Sequence, residues 1–417
     1  MKNLGIKISI FLNYFVFAIL LNSVGIVIAK SINVYHVSES QASLLEAFKD
    51  LPIAIVSFLI ASFLPRFGYK KAMLSGLALV FFGCLIMIFG NSFVYTKILF
   101  LSIGVSFALI KLSVYSLIGI VTSTKKEHSS LMSSIEGFFM VGIASAYFLF
   151  PAFYSDTDEN AWLNVYYLLS GLIVISFIFL LFSKIEYEVE AIGSSLKEDL
   201  TRSLKLIIVP LVLVFLASAF FFVMIEQGIM TWLPRFNEKI FKFSTTLSVQ
   251  MASILALSLA LGRFLAGYLS KFMSWVTLVI ICIVISGGIL LSVLPQLRVE
   301  IDSLVEIKSL ADVPLLGYIL PLIGLFIAPI YPLLNSTVLS SLPKNLHSPM
   351  SGLIIIFSAL GGTIGSRIVG ELFESIGGAK AFYFLLILLI MGCSKNIKTE
   401  SVNLSENNPF NVQLNEA

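Results

Sequence analysis

Long apolar runs follow one another along almost the whole chain, and each is long enough to cross a lipid bilayer. About 20 consecutive apolar residues cross a hydrocarbon core roughly 30 Å thick as an α-helix. Of the 417 residues, 58% are hydrophobic and 12% are charged, whereas roughly 25% are charged in a soluble domain. The sequence predicts an all-α membrane protein whose twelve transmembrane helices are 8–29, 42–63, 72–91, 98–121, 131–152, 162–182, 207–232, 247–270, 275–294, 314–338, 350–371 and 379–394.

The predicted helices fall into two sets of six, separated by a polar stretch of mixed charge. We expect an N-terminal six-helix bundle at 1–182, a cytoplasmic linker at 183–206, a C-terminal six-helix bundle at 207–394 and a polar tail at 395–417. A faint repeat, ASFLPRF at 61–67 and AGYLSKF at 266–272, supports this division. Two similar halves are an arrangement known among secondary transporters.

The placement of basic residues predicts the orientation of the chain in the membrane. With a cytoplasmic N-terminus, the inside segments hold more Lys and Arg than the outside segments, as the positive-inside rule requires. We therefore expect a multi-pass protein of the inner (plasma) membrane with both termini cytoplasmic. The first span is too long for a signal-peptide core and is expected to be retained.

Several functions are disfavoured by what the sequence lacks. The three cysteines lie in apolar runs, and the three histidines lie in loops without metal-ligand spacing. We find no metal site, no phosphate-binding glycine loop and no nucleophile motif, so neither an enzyme nor an ATP-driven pump is expected. No cofactor and no nucleic-acid partner is predicted, and we expect a monomer in the lipid bilayer.

The stretch Ala61–Lys71, ASFLPRFGYKK, resembles the loop signature between the second and third helices of the major facilitator superfamily. The residues that match that pattern are Arg66, Gly68, Lys70 and Lys71. We expect them to form a signature loop whose basic side chains bind the anionic inner surface of the membrane. Pro65 stands in place of the signature's Asp, so a charge relay through that Asp cannot be carried over. The resemblance implies the major facilitator fold and alternating access.

Four stretches of the second half resemble the fucose, galactose and glucose proton-symporter family within that superfamily. They are IEQGIMTWL at 225–233, LGRFLAGYL at 261–269, APIYPLLNS at 328–336 and GGTIGSRIVGELFESIGG at 361–378. This resemblance implies a sugar-type solute with protons as the coupling ion. Two acids that the family carries are absent, because Lys111 stands at the fourth-helix position and Gly25 near the first-helix position, where Asn22 is retained. Proton handling would then fall to Glu46, Asp50, Glu136 or Glu226.

Charged residues inside apolar runs are functional candidates, because a charge at mid-bilayer costs about 2.5–3.5 kcal/mol on insertion scales. Glu46, Lys49 and Asp50 share one helix face and precede Pro52, which could open the helix. They form either a charge cluster in the headgroup layer or an outward-facing vestibule. Lys111, near the middle of its run, either faces a cavity or pairs with Glu46, Asp50 or Glu136.

Candidates in the second half suit recognition of hydroxyl groups. Glu226 and Gln227 offer hydrogen-bonding groups toward the outer end of span seven, and Trp232 offers an aromatic face for a sugar ring. The alternative is that Glu226 merely joins two helix ends. Arg263 is interpreted as a gate or surface anchor. Weaker candidates, which can equally join helices by hydrogen bonds, are Asn22, Ser23, Tyr331, Asn335 and Ser358.

The favoured interpretation is a secondary transporter for a small polar solute, a sugar or sugar derivative. An exporter of a metabolite or drug in the same superfamily is the alternative, because aromatic-rich spans suit it equally well. A membrane sensor would need a sizeable soluble domain, and none is visible.

Overall fold

The computed structural model describes residues 4–60, 64–121, 125–183, 206–270, 272–296, 307–341 and 347–384. The chain forms two compact units, Met1–Leu196 and Lys197–Ala417. Regular structure in these described ranges is helical, apart from an isolated bridge between Phe243 and Ile307. Ten helical segments within them are long and apolar enough to cross a membrane. The prediction of an all-α membrane fold is confirmed.

The first unit is built from nine helices in the part of the chain that is described. They are α1 (Leu4–Asn22), α2 (Val24–Tyr35), α3 (Glu39–Ala42), α4 (Leu44–Ile60), α5 (Leu64–Phe67), α6 (Tyr69–Gly90), α7 (Phe93–Val121), α8 (Lys125–Leu149) and α9 (Val165–Phe182). Helix α7 packs against α4 and α6, and α1 packs against α8 and α9. Short 3₁₀ turns at Pro151–Phe153 and Ala161–Asn164 join α8 to α9.

Seven helices with both ends in the described residues belong to the second unit. They are α10 (Pro210–Ile240), α11 (Thr245–Leu269), α12 (Trp275–Val293), α13 (Leu315–Ile319), α14 (Gly324–Ile327), α15 (Ile330–Ser341) and α16 (His347–Ile376). Helix α10 packs along α16 and against α11. Residues 378–384 begin a further helix. Most of the predicted twelfth span, the linker residues 184–205 and the tail 395–417 lie outside the described residues.

Two predicted spans are interrupted rather than continuous. The first consists of α1 and α2, with the break at Ser23, whose hydroxyl donates to the Leu20 carbonyl at 2.8 Å. The tenth consists of α13, a 3₁₀ turn at Leu320–Ile323, α14 and α15. Pro321 and Pro329 lie in or beside these interruptions, and each lacks the amide hydrogen that a continuous helix would use. Helix α4, by contrast, runs through Pro52 without a break, so the expected opening there is wrong.

The signature loop uses its matched residues to join helices of the first unit. Gly68 has φ of 93°, a left-handed conformation that favours glycine. Lys70 donates to the carbonyls of Leu181 and Ser183 at 2.8 and 2.7 Å, at the C-terminal end of α9, where a cation is favourable. Lys70 therefore joins α6 to the end of α9, and the expected contact of this loop with the anionic lipid surface stays a prediction. Lys71 is exposed, and the side chain of Arg66 lies outside the described part.

Helices α4 and α7 approach closely at Gly104. A Cβ added to Gly104 would lie 2.3 Å from the Lys49 carbonyl oxygen and 3.1 Å from the Pro52 Cβ. Because a side chain at this position would meet the backbone of α4, glycine is required for the two helices to pack at this distance.

We expect Gly104→Ala to destabilise the protein by about 1–3 kcal/mol, because the new methyl group must push α4 away from α7. The measurement is the thermal unfolding midpoint of the purified protein in detergent. Gly137→Ala in α8 is the matched control, because no heavy atom lies within 4 Å of its added Cβ. Equal midpoints for the two variants would contradict the close approach.

Candidate functional site

The first cluster of charges lies on one face of α4, and we call it the α4 triad: Glu46, Lys49 and Asp50. The Lys49 Nζ lies 2.5 Å from Glu46 Oε1 and 3.5 Å from Asp50 Oδ1. All three side chains are buried, that of Glu46 completely. Because the lysine lies between the two acids, much of their charge is neutralised within one turn of helix.

The second cluster surrounds Lys111 on α7, and we call it the Lys111 cluster: Tyr14, Phe107, Lys111, Tyr115 and Glu136. The Lys111 Nζ lies 5.7 Å from the Phe107 ring centroid and 5.8 Å from that of Tyr115. The Tyr115 hydroxyl donates to Glu136 Oε1 at 3.0 Å. Glu136 is near enough to Lys111 to act on it electrostatically, but no ion pair within 4.0 Å joins them. Of the three acids predicted as partners of Lys111, Glu136 is the one that lies in this cluster.

Tyr14 was not among the sequence candidates, although it belongs to the same cluster. Its ring packs against Phe107 and Phe139, with centroids 6.3 and 5.8 Å away. Its hydroxyl is buried and makes no well-formed hydrogen bond among the described residues. A single tyrosine in an apolar run gives no periodic signal, so the sequence could not distinguish it from core. Tyr115, four residues after Lys111, was recognisable by its spacing on the helix.

The third cluster joins α10 to α11, and we call it the Glu226 cluster: Phe222, Glu226, Arg263, Tyr331 and Ser358. Arg263 Nη2 donates to Glu226 Oε1 at 2.9 Å, with the Glu226 side chain 12% exposed and that of Arg263 40% exposed. Helix α10 continues to Ile240, so Glu226 lies near its midpoint. Our prediction that Glu226 lies toward an end of this span is wrong. Arg263 is therefore an ion-pair partner of Glu226, and its role as a gate or surface anchor stays a prediction.

Tyr331 of α15 completes this cluster by contacts to two other helices. Its hydroxyl lies 2.9 Å from that of Ser358 on α16, and its ring stacks on Phe222 of α10 at a centroid distance of 5.9 Å. Asn335 is close enough to interact with the Tyr331 hydroxyl. An aromatic face, hydroxyl groups and an ion pair thus lie together inside the second unit.

Three other sequence candidates have different surroundings from those we expected. The Trp232 ring is fully buried and stacks on Phe373, and its Nε1 donates to the Ser366 carbonyl at 3.0 Å. Trp232 therefore packs α10 against α16 and offers no open face to a sugar. Gln227 is half-buried. Asn22 donates to the Ala18 carbonyl at 2.9 Å, within its own helix, just before the break at Ser23.

No group of three or more His, Cys, Asp or Glu side chains that could hold a metal ion occurs in the described ranges. Cys84 and Cys282 are buried free thiols.

A family description matches most of the sequence. Residues 8–366 match the Major Facilitator Superfamily. The chain belongs to the Major Facilitator Superfamily. It is therefore a multi-pass membrane transporter and not an enzyme.

Solved structures of Major Facilitator Superfamily transporters share its fold at low sequence identity. A bacterial homolog of the human lysosomal transporter Spinster, inward-facing and unoccupied, is similar with a TM-score of 0.75 and 12% identity, covering 94% of this chain and 96% of that one. A D-xylose–proton symporter is similar with a TM-score of 0.67 and 14% identity, covering 96% of this chain and 97% of that one. A variant of the E. coli fucose:proton symporter FucP is similar with a TM-score of 0.63 and 12% identity, covering 96% of this chain and 99% of that one. No curated protein sequence matches significantly.

We expect the two partners of the Glu226–Arg263 ion pair to respond unequally to substitution. Arg263→Met leaves a mostly buried carboxylate without its cation and should destabilise the protein by about 1–3 kcal/mol. Glu226→Gln leaves an arginine that reaches water and should cost less. The unfolding midpoint in detergent measures both effects, and the double variant should resemble Glu226→Gln. A larger loss for Glu226→Gln than for Arg263→Met would contradict the pairing.

Proposed function

We propose that this protein moves a small polar solute, a sugar or sugar derivative, across the inner (plasma) membrane by alternating access, with protons as the coupling ion. The observation that carries the proposal is the Lys111 cluster, in which hydrogen-bonding groups lie beside aromatic rings within membrane helices. Sites for polar solutes combine mostly apolar walls with a few placed polar groups, and sugars present hydroxyls together with an apolar ring face. Both termini lie in the cytoplasm in this proposal.

The fold neighbours add a weaker argument of the same kind. Two of them are named for sugars and for protons, xylose in one case and fucose in the other. At 12–14% identity this likeness is one of fold, so it supports a sugar-type solute only together with the side chains in the membrane helices. The Glu226 cluster, with Asn335 and Gln227, is the second proposed solute-binding region.

Glu136 is the acid that we assign to the proton. Glu46 and Asp50 lie within 4.0 Å of Lys49, and Glu226 lies 2.9 Å from Arg263. Glu136 instead accepts a hydrogen bond from the neutral Tyr115 hydroxyl, with no cation within 4.0 Å among the described residues. It can therefore gain or lose a proton without breaking an ion pair.

The test is uptake into proteoliposomes that contain the purified protein, across a panel of monosaccharides, amino sugars and small muropeptides. We expect an inward proton gradient to stimulate the uptake of one of these solutes. Uptake at the same rate with and without the gradient would contradict proton coupling and indicate a facilitator. No uptake by folded protein would contradict the sugar assignment and favour the exporter.

We further expect Glu136→Gln to abolish the stimulation by the gradient, because the amide cannot take up a proton. Exchange of the solute between two equal pools should continue, because it needs no net proton movement. Glu238→Gln in α10, which removes a carboxylate already paired with Arg235 at 2.8 Å, is the matched control and should still respond to the gradient. Retained stimulation in Glu136→Gln would exclude Glu136 as the proton site.

A further inference from the structure

Lys111 differs from three other cations of the membrane helices in having no close anion. Lys49, Arg235 and Arg263 each lie within 4.0 Å of a carboxylate oxygen. Within the described part of the chain, no carboxylate oxygen lies that close to the Lys111 Nζ. Its nearest aromatic ring centroids are at 5.7 and 5.8 Å, close to the 6 Å limit of a cation–π interaction.

The depth of Lys111 makes this arrangement costly for the protein alone. It lies eighteen residues after the start of α7 and ten before its end, about 15 Å from the nearer end. A cation at such a depth needs an anion or water, and two rings at this distance replace an ion pair only in part. The nearby carboxylate, that of Glu136, is engaged with the Tyr115 hydroxyl.

Other buried polar groups lie in the same cluster. The Tyr14 hydroxyl lies near Tyr115 and Glu136, and the Tyr115 hydroxyl donates to Glu136 Oε1 at 3.0 Å. The hydroxyls of Tyr14 and Tyr115 and the Glu136 carboxylate therefore interact among themselves and leave the Lys111 ammonium without a carboxylate oxygen within 4.0 Å in the described part of the chain. An ammonium without a close anion thus occurs beside hydrogen-bonding groups in one small region of the first unit.

We propose that Lys111 binds an acidic group of the solute, so that the solute is a sugar acid or another carboxylate-bearing sugar derivative. The carboxylate would form a charge-assisted hydrogen bond with the Lys111 ammonium, the strongest type available to this side chain. The Tyr115 ring, which is 36% exposed, lies beside the ammonium for the apolar face of the sugar ring, and Glu136 and the Tyr115 hydroxyl supply further polar contacts. This inference rests on the proposed transport of a sugar-type solute.

Pairs of sugars that differ only at carbon six separate this inference from the proposed function. We would compare the uptake of D-glucuronate with D-glucose, and of D-galacturonate with D-galactose, into proteoliposomes. For at least one pair, the uronate should reach half-maximal uptake at a concentration about tenfold or more below that of its neutral partner. A charge-assisted hydrogen bond predicts a difference of this size. Transport of the neutral sugars with no uptake or competition by the uronates would overturn this inference alone. Failure of all four would overturn this inference, whereas the proposed function would be overturned only if the other solutes of the panel also failed.

Lys111→Met is the decisive variant, because it keeps an unbranched side chain only one atom shorter and removes the charge. It should lower uronate uptake about tenfold or more, and Lys111→Arg should retain part of it. Lys97→Met is the matched control on the same helix, where Lys97 lies over the Phe93 ring at 4.6 Å. The unfolding midpoint of each variant verifies that it is folded. Equal uronate uptake by Lys111→Met and Lys97→Met would overturn the assignment of Lys111.

Discussion

An ionised side chain inside a membrane helix must be neutralised locally, and the three polar clusters of this protein achieve this to different degrees. The α4 triad neutralises its lysine within one turn of its own helix. Glu226 and Arg263 neutralise each other across two helices and so also hold α10 against α11. Lys111 has two aromatic rings and a more distant acid. This difference is the reason for assigning the proton and the acidic group of the solute to the Lys111 cluster in our proposals.

Helix α7 connects two of these clusters within the first unit. Gly104 and Lys111 are seven residues apart, which places them about 10 Å apart along the axis and on the same face of the helix. Gly104 contacts the backbone of α4 at Lys49, while Lys111 lies beside Tyr115, which bonds Glu136 on α8. Because both residues lie on one helix, the tight contact at Gly104 sets the position of the Lys111 backbone relative to the α4 triad.

The sequence predicted the membrane-spanning helices. It did not predict contacts between residues that lie far apart along the chain. Most apolar runs became helices because a spanning segment must satisfy its own backbone hydrogen bonds. Glu226 was placed too near a helix end, because α10 continues past Pro234 to Ile240. The contacts of Lys70 with the end of α9 join residues more than a hundred positions apart, and no local pattern reports them. Trp232 could not be recognised as core because aromatic residues serve packing and sugar binding alike.

The proposed proton site and the proposed acidic solute depend on each other through charge. With Lys111 and Glu136 both ionised, the Lys111 cluster has no net charge, and binding of a carboxylate alone would leave one unbalanced negative charge inside the membrane. A proton on Glu136 removes that charge, because the solute carboxylate then balances the Lys111 ammonium in place of the more distant glutamate. The carboxylate and the proton would therefore bind more tightly together than separately, as reciprocal coupling between two sites requires. A neutral solute gives no such reason for coupling, so the charge of Lys111 connects the kind of solute to the use of the proton.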